Sequence, residues 1–151
     1  MSDYIKELRK KVGHSPLVLP HSVVIVLNNQ NEILLEERSD DGFFDFPGGG
    51  IDLKETAEEA AVRELKEETG LTANRLEMFK VYSGEITYYK YFNGDEIYGI
   101  DSVFICRDYD GALKPQLSEV RRLFFCSIEN LPVEKMSPRN KQIIIDLKSQ
   151  K

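Results

Sequence analysis

Three glutamates, Glu64, Glu67 and Glu68, crowd into the stretch R-E-L-K-E-E-T-G-L, residues 63–71. On a helical wheel they share one stripe. That stripe borders an apolar one of Ala57, Ala61, Val62 and Leu65, which should face a sheet. Like charges three and four residues apart cost about 0.2–0.5 kcal/mol each, and no lysine lies in the stripe to offset them. The helix dipole also opposes Glu67 and Glu68 in the last turn. A solvated acidic face is the bland alternative. Local rules broken together without structural gain instead mark a site. The natural neutraliser is a hard divalent cation, Mg²⁺ or Mn²⁺, which prefers carboxylate, carbonyl and water oxygens.

P-G-G-G, residues 47–50, stands a short way before that helix. Glycine lets backbone amides and carbonyls approach a ligand closely, although three glycines alone mean only a turn. Gly49, Glu55 and the run Arg63–Leu71 combine into one specific pattern. It resembles the signature of the Nudix hydrolases, G-x5-E-x7-R-E-U-x-E-E-x-G-U, where U is a bulky aliphatic residue. Every fixed position matches over 23 residues, 49–71. The resemblance covers about residues 17–149.

The resemblance implies an α/β/α sandwich with a mixed β-sheet. The expectation is one domain over 1–151, with 1–16 as a peripheral helix. The implied activity is cleavage of the pyrophosphate bond in a nucleoside diphosphate linked to another group. Nucleoside triphosphates, dinucleoside polyphosphates and nucleotide sugars are the substrate classes. Glu64, Glu67 and Glu68 would hold Mg²⁺, with Mn²⁺ able to substitute, and the Gly48 carbonyl would be a further ligand. Glu64 is also a candidate general base. Arg63 and Glu55 would pair to orient loop and helix. Glu119, in L-S-E-V-R-R-L before the last strand, is a further ligand or base. Arg38, closing E-I-L-L-E-E-R, is expected on phosphate or stacked on substrate. Phe46 would sit in the core with an edge near the site, and the Gly49 and Gly50 backbone against the substrate. Glu58 and Glu59 are more simply first-turn residues favoured by the dipole.

The substrate itself is less legible. An exposed aromatic among Phe43 and Phe44 would stack on a base, worth about 1–3 kcal/mol. The tyrosine-rich segment 82–98 reads first as hairpin packing. Tyr88 and Tyr89 lie where the dinucleoside polyphosphate branch places a tyrosine, a weak signal. Thr87 stands where the ADP-ribose branch tends to have proline. The S-Q-P-W-P-F-P extension of the NADH type is absent, and the chain has no tryptophan. The contrary reading is a nucleotide-binding or regulatory module that kept the fold and lost the chemistry. Such modules lack box carboxylates, and all are present here. An RNA 5′-end enzyme would share the chemistry but would need a basic groove.

Elements to position these groups follow from periodicity and turn residues. Ile5, Leu8 and Val12 predict a helix over 2–12. Strands are expected at 21–27 and 32–38, and F-F-D-F-P-G-G-G, residues 43–50, reads as a short strand ending in a glycine loop. Thr56 and Glu59 form a capping box for a helix to Thr69 that Gly70 ends. Strands follow near 74–83, 84–92 and 96–106, the last two joined at F-N-G-D. A loop over 107–119 leads to a strand at 120–126. Ser137 and Pro138 open a final helix that packs Ile143, Ile144 and Leu147 on the core.

With 151 residues the chain has the size of one ordinary domain. No apolar run approaches the roughly 20 residues of a spanning helix, and no secretory signal opens the chain. A cytoplasmic protein without a membrane partner is therefore expected. Cys106 and Cys126 read as unpaired thiols in a reducing compartment. The net charge of −6 argues against nucleic acid as partner and leaves a small nucleotide, whose charge metal ions offset. A homodimer would match similar proteins.

Overall fold

A computed structural model describes residues 3–150. Three helices surround eight strands. The helices are α1 (Asp3–Val12), α2 (Ala57–Thr69) and α3 (Pro138–Ser149). The strands are β1 (Leu17–Val26), β2 (Glu32–Arg38), β3 (Phe44–Asp45), β4 (Gly48–Gly50), β5 (Thr72–Tyr82), β6 (Tyr88–Lys90), β7 (Glu96–Asp110) and β8 (Val120–Ser127). The expected helical residue 2 lies outside the described residues.

The β-branched run of β1 decides the layering, because both of its faces are buried. Val24 and Val26 meet Ala61 and Leu65 of α2, together with Phe104 and Cys106 of β7. Val23 and Ile25 meet Ile143 and Ile144 of α3, with Val103 and Ile105. Alternate residues of one strand thus face two helices, and the sheet lies between them. The sheet order is β4-β1-β7-β5, with β6 paired to β7. β1 and β7 run parallel, and the other pairs are antiparallel, so this sheet is mixed. A second, antiparallel sheet has the order β3-β2-β8.

Local chemistry fixes the ends of α2. The Thr56 side chain accepts from the Glu59 amide at 3.0 Å, and the Glu59 carboxylate accepts from the Thr56 amide at 2.9 Å. Gly70 ends the helix with φ of 82° and donates its amide to Lys66 O. Ser137 caps α3 by accepting from the Asn140 amide, with Pro138 following it.

Four sequence expectations need correction. The glycines are not a loop but strand β4, because Gly48–Gly50 pair antiparallel with His21–Val23. β1 begins at Leu17 rather than His21, since β7 supplies partners from Ile97 onward. The strand expected over 84–92 is interrupted by Gly84 at φ 87° and a 3-10 turn over Glu85–Thr87, leaving only β6. β7 continues past 106 to Asp110, where β5 pairs Thr72 with Asp110. The hairpin between β6 and β7 forms as expected, with Gly94 at φ 94°.

Candidate active site

The acidic stripe of α2 turns inward. Glu64 and Glu68 are buried, 3% and 8% exposed, whereas Glu67 stays exposed at the rim. What admits the inward pair is strand β4. A Cβ on Gly49 would run into the Glu64 carboxylate, so only glycine leaves room. The Gly48 amide donates to Glu68 Oε1 at 2.9 Å.

The stripe does have a counter-charge, contrary to the sequence reading, since Arg63 folds back along its own helix. Its Nη1 lies 2.8 Å from Glu64 Oε1 and 3.5 Å from Glu67 Oε2. The same guanidinium grips Glu55 through Nε and Nη2, at 2.7 and 2.9 Å, and donates to Gly50 O at 2.9 Å. One planar fork thereby ties the loop before α2, strand β4 and the acidic stripe together. Hydrogen bonds from Arg63 hold the Glu55 carboxyl below the usual range. Burial raises Glu64 despite the pull of Arg63.

Glu36 is a residue the sequence reading missed. On β2, Leu34 and Glu36 point one way and Ile33 and Leu35 the other, and both faces are buried. Glu36 is therefore an interior carboxyl, 5% exposed, with no hydrogen-bond partner for Oε2 among the described groups. Burial, then the Asp45 charge, pushes it up to about 8, against hydrogen bonding with Glu68. Burial, then the Glu36 charge, likewise raises Glu68. The signal was available: a period-2 strand with two apolar faces leaves Glu36 no solvent side.

These groups open on a cavity of about 390 Å³. The structure brings Gly48, Gly49, Gly50, Glu64, Glu68 and Glu119 to its wall. Glu119 is exposed, and its carbonyl accepts from the Ser39 amide at 3.0 Å. Phe46 also reaches the wall, although its side chain is 2% exposed and belongs to the core. Arg38 lines the cavity while already bound to Asp40 at 2.7 and 3.0 Å, with its guanidinium 4.9 Å from the Tyr89 ring centroid. Phe44 packs edge-on against Phe124, and Phe43 remains exposed at the cavity. Glu55, Arg63 and Glu67 stand behind or beside the wall.

The cavity wall also carries a polar network that no sequence signal marked. Arg139 Nη1 donates to Asp101 Oδ2 at 3.0 Å, and Nη2 to Asp45 Oδ1 at 3.2 Å. Asn140 donates to the same Asp45 oxygen at 2.8 Å, and His21 Nδ1 lies 3.3 Å from Asp101 Oδ1. Only the three-dimensional return of α3 to β3 and β7 assembles it.

The donor set fits a hard cation: buried carboxylates, one of them with an unpartnered oxygen, beside a side-chain-free strand. No three acidic, histidine or cysteine side chains among the described residues are arranged as a ready metal cage. Arg63 occupies the counter-charge position beside Glu64 instead.

An inward-facing acidic helix, clamped to a glycine strand within an α/β/α sandwich, places the molecule in the class of MutT-like folds. The MutT NUDIX hydrolase from Burkholderia pseudomallei superposes with a TM-score of 0.72 at 19% identity, covering 87% of this chain and 98% of that one. Residues 19–147 match the NUDIX domain model, and the chain belongs to that family. The ADP-ribose pyrophosphatase of Methanocaldococcus jannaschii is 34% identical over 124 residues, 80% of this chain and 68% of its own length. The 8-oxo-dGTP diphosphatase of Escherichia coli is 41% identical over 63 residues, 39% of this chain. The matched stretch spans 49% of that relative and 34% of one from Bacillus subtilis.

Proposed function

We propose that this chain is a Mg²⁺-dependent pyrophosphohydrolase that cleaves the anhydride bond of a nucleoside diphosphate derivative, with Mn²⁺ as a substitute ion. The observation that carries the reading is the burial of Glu64 and Glu68 against Gly48 and Gly49 at one cavity wall. The two relatives, an 8-oxo-dGTP diphosphatase and an ADP-ribose pyrophosphatase, support it. A cytoplasmic setting accords with two free cysteines.

Glu64 and Glu68, with Glu67 at the rim and the Gly48 carbonyl, would hold the cation. A divalent ion there supplies neutralisation of the negative charge that otherwise repels a nucleophile from the diphosphate. Arg63 and Glu55 keep the carboxylates and β4 in register. Water attacks phosphorus, the bridging P–O bond breaks, and a carboxylate takes the water proton. Glu64 and Glu119 both reach the cavity for that last task. Arg38 would leave Asp40 for the phosphate chain, and the backbone of Gly49 and Gly50 would flank it. Phe46 supports the floor from the core.

The test is a panel of nucleoside triphosphates, dinucleoside polyphosphates and nucleotide sugars with Mg²⁺ or Mn²⁺. Product identity shows which phosphorus was attacked. Glu68→Gln should lose on the order of 3–4 kcal/mol of barrier lowering, about 10²–10³-fold in rate. No cleavage of any member by the wild-type chain would leave a binding module instead. The pH–rate profiles of Glu64→Gln and Glu119→Gln identify the base, as its loss removes the acidic limb.

A further inference from the structure

The cavity has an end wall that lies outside the matched NUDIX residues. Helix α1, expected at the periphery, places Ile5 and Arg9 on the cavity surface, ahead of the family match that begins at residue 19. Ile5 is 6% exposed and packs with Leu19 and Ile97, against partly buried Tyr89 and Tyr91.

The helix is fastened at both ends. Its Tyr4 amide donates to Asp52 Oδ1 at 3.3 Å, in the loop that also meets Arg63. At the far end Arg9 donates to Gly13 O, Ser15 O and Glu96 O at 2.9, 2.6 and 2.7 Å, and lies 3.6 Å from Asp95. His14 Nδ1 stands 2.6 Å from the other Asp95 oxygen. α1 is therefore strapped from the loop before α2 to the β6–β7 hairpin.

Strand β1 measures what lies between. Val23, His21 and Leu19 face the cavity in turn. Val23 pairs with Gly48, at the carboxylate end, and Leu19 packs on Ile5, at the α1 end. Four residues of strand span about 13 Å, the reach of one nucleoside from its phosphates. The carboxylate end is charged, whereas the α1 end joins apolar Ile5, Leu19 and Ile97 to the rings of Tyr89 and Tyr91, beside the paired Arg9 and Asp95. An apolar, tyrosine-lined end suits a nucleobase ring.

We propose that α1 is the wall that limits nucleobase size in this pocket, with Ile5 as its specificity-determining residue. The proposal rests on the nucleotide-hydrolase reading of the same cavity. Shortening Ile5 makes room beyond the base edge, and lengthening it removes room. A difference of one or two methylenes in such a pocket changes discrimination by about tenfold or more.

The test compares UTP, ATP and ring-extended ethenoadenosine triphosphate on the full chain. Dissociation constants are read in Ca²⁺, and kcat/KM in Mg²⁺. Ile5→Ala should raise the preference for the ring-extended base over ATP by about tenfold, and Ile5→Phe should shift preference toward UTP. Leu8→Ala is the control, since Leu8 packs against the same cluster without lining the cavity. It loosens α1 and should leave the base preference unchanged. Thermal unfolding confirms that each variant folds, and the milder Ile5→Val should move the ratio in the same direction as Ile5→Ala. Equal changes for all three nucleotides, or a Leu8→Ala shift as large as that of Ile5→Ala, overturn the wall. Base-size shifts in binding without turnover uphold the wall and reject nucleoside triphosphates as the hydrolase's substrates. Turnover by the wild type with no shift in Ile5→Ala rejects the wall alone. Failure to bind any of the three overturns the wall, and the wider panel alone decides the hydrolase.

Discussion

Two side chains concentrate the electrostatics of the site. Arg63 satisfies Glu55, Glu64 and the Gly50 carbonyl through one rigid fork. Lysine keeps the charge but cannot make those bonds together. Arg63→Lys should therefore lower metal affinity or activity about 10–100-fold, with the larger share visible in a Mn²⁺ titration. Glu36 is the opposite case, a carboxyl held neutral by burial and by Asp45, with its folded value at about 8. The folded state keeps this proton while the unfolded chain releases it near the ordinary value of about 4.5. Stability from this group is complete below the ordinary value and is lost as pH rises through about 8. In metal-free protein, Glu36→Gln should flatten that decline, so that the variant is the more stable of the two at pH 9 in urea melts. An unchanged slope would remove Glu36 as its source.

At the scale of elements, strand β4 sets the tightest tolerance. Gly49→Ala introduces a methyl where the Glu64 carboxylate lies. Activity should fall far more than stability, because Glu64 must swing away while β4 keeps its pairing to β1. Activity assays beside thermal melts decide this. How much of this was readable varies by element. The caps of α2 and α3 were legible because they are local: Thr56 and Glu59 act over three residues. The spacing of the glutamates placed the acidic stripe on the correct helix edge. The glycines misled, because a side-chain-free strand and a glycine turn look alike until β1 is known to run beside them. Arg139 and Asn140 were invisible for the same reason. Their partners Asp45 and Asp101 lie far off in sequence, and only the packing of α3 brings them together.

For the molecule as a whole, that last network joins α3, β3 and β7 across the interior. Arg139→Ala leaves the buried Asp101 without its guanidinium partner, a loss of about 3–5 kcal/mol. The urea midpoint should drop accordingly. Burial alone would raise Asp101, but hydrogen bonding to His21 and the Arg139 charge hold its carboxyl below the ordinary range. Its stabilisation is therefore present above the ordinary carboxyl value and lost as pH falls through the lowered one. Acid titration of Arg139→Ala should show less of that loss than the wild type.

The parallel register of β1 against β7 reaches beyond architecture. One edge of β1, Leu17 through Val26, finds its partner at Ile97 through Cys106, so that edge waits long after β4 has covered His21–Val23 on the other. Such distant pairing slows folding. Meanwhile H-S-V-V-I-V-L is a sticky, β-prone ribbon covered on one edge alone, by the three residues of β4. Birth, more than catalysis, is the moment at which this protein is most exposed to aggregation.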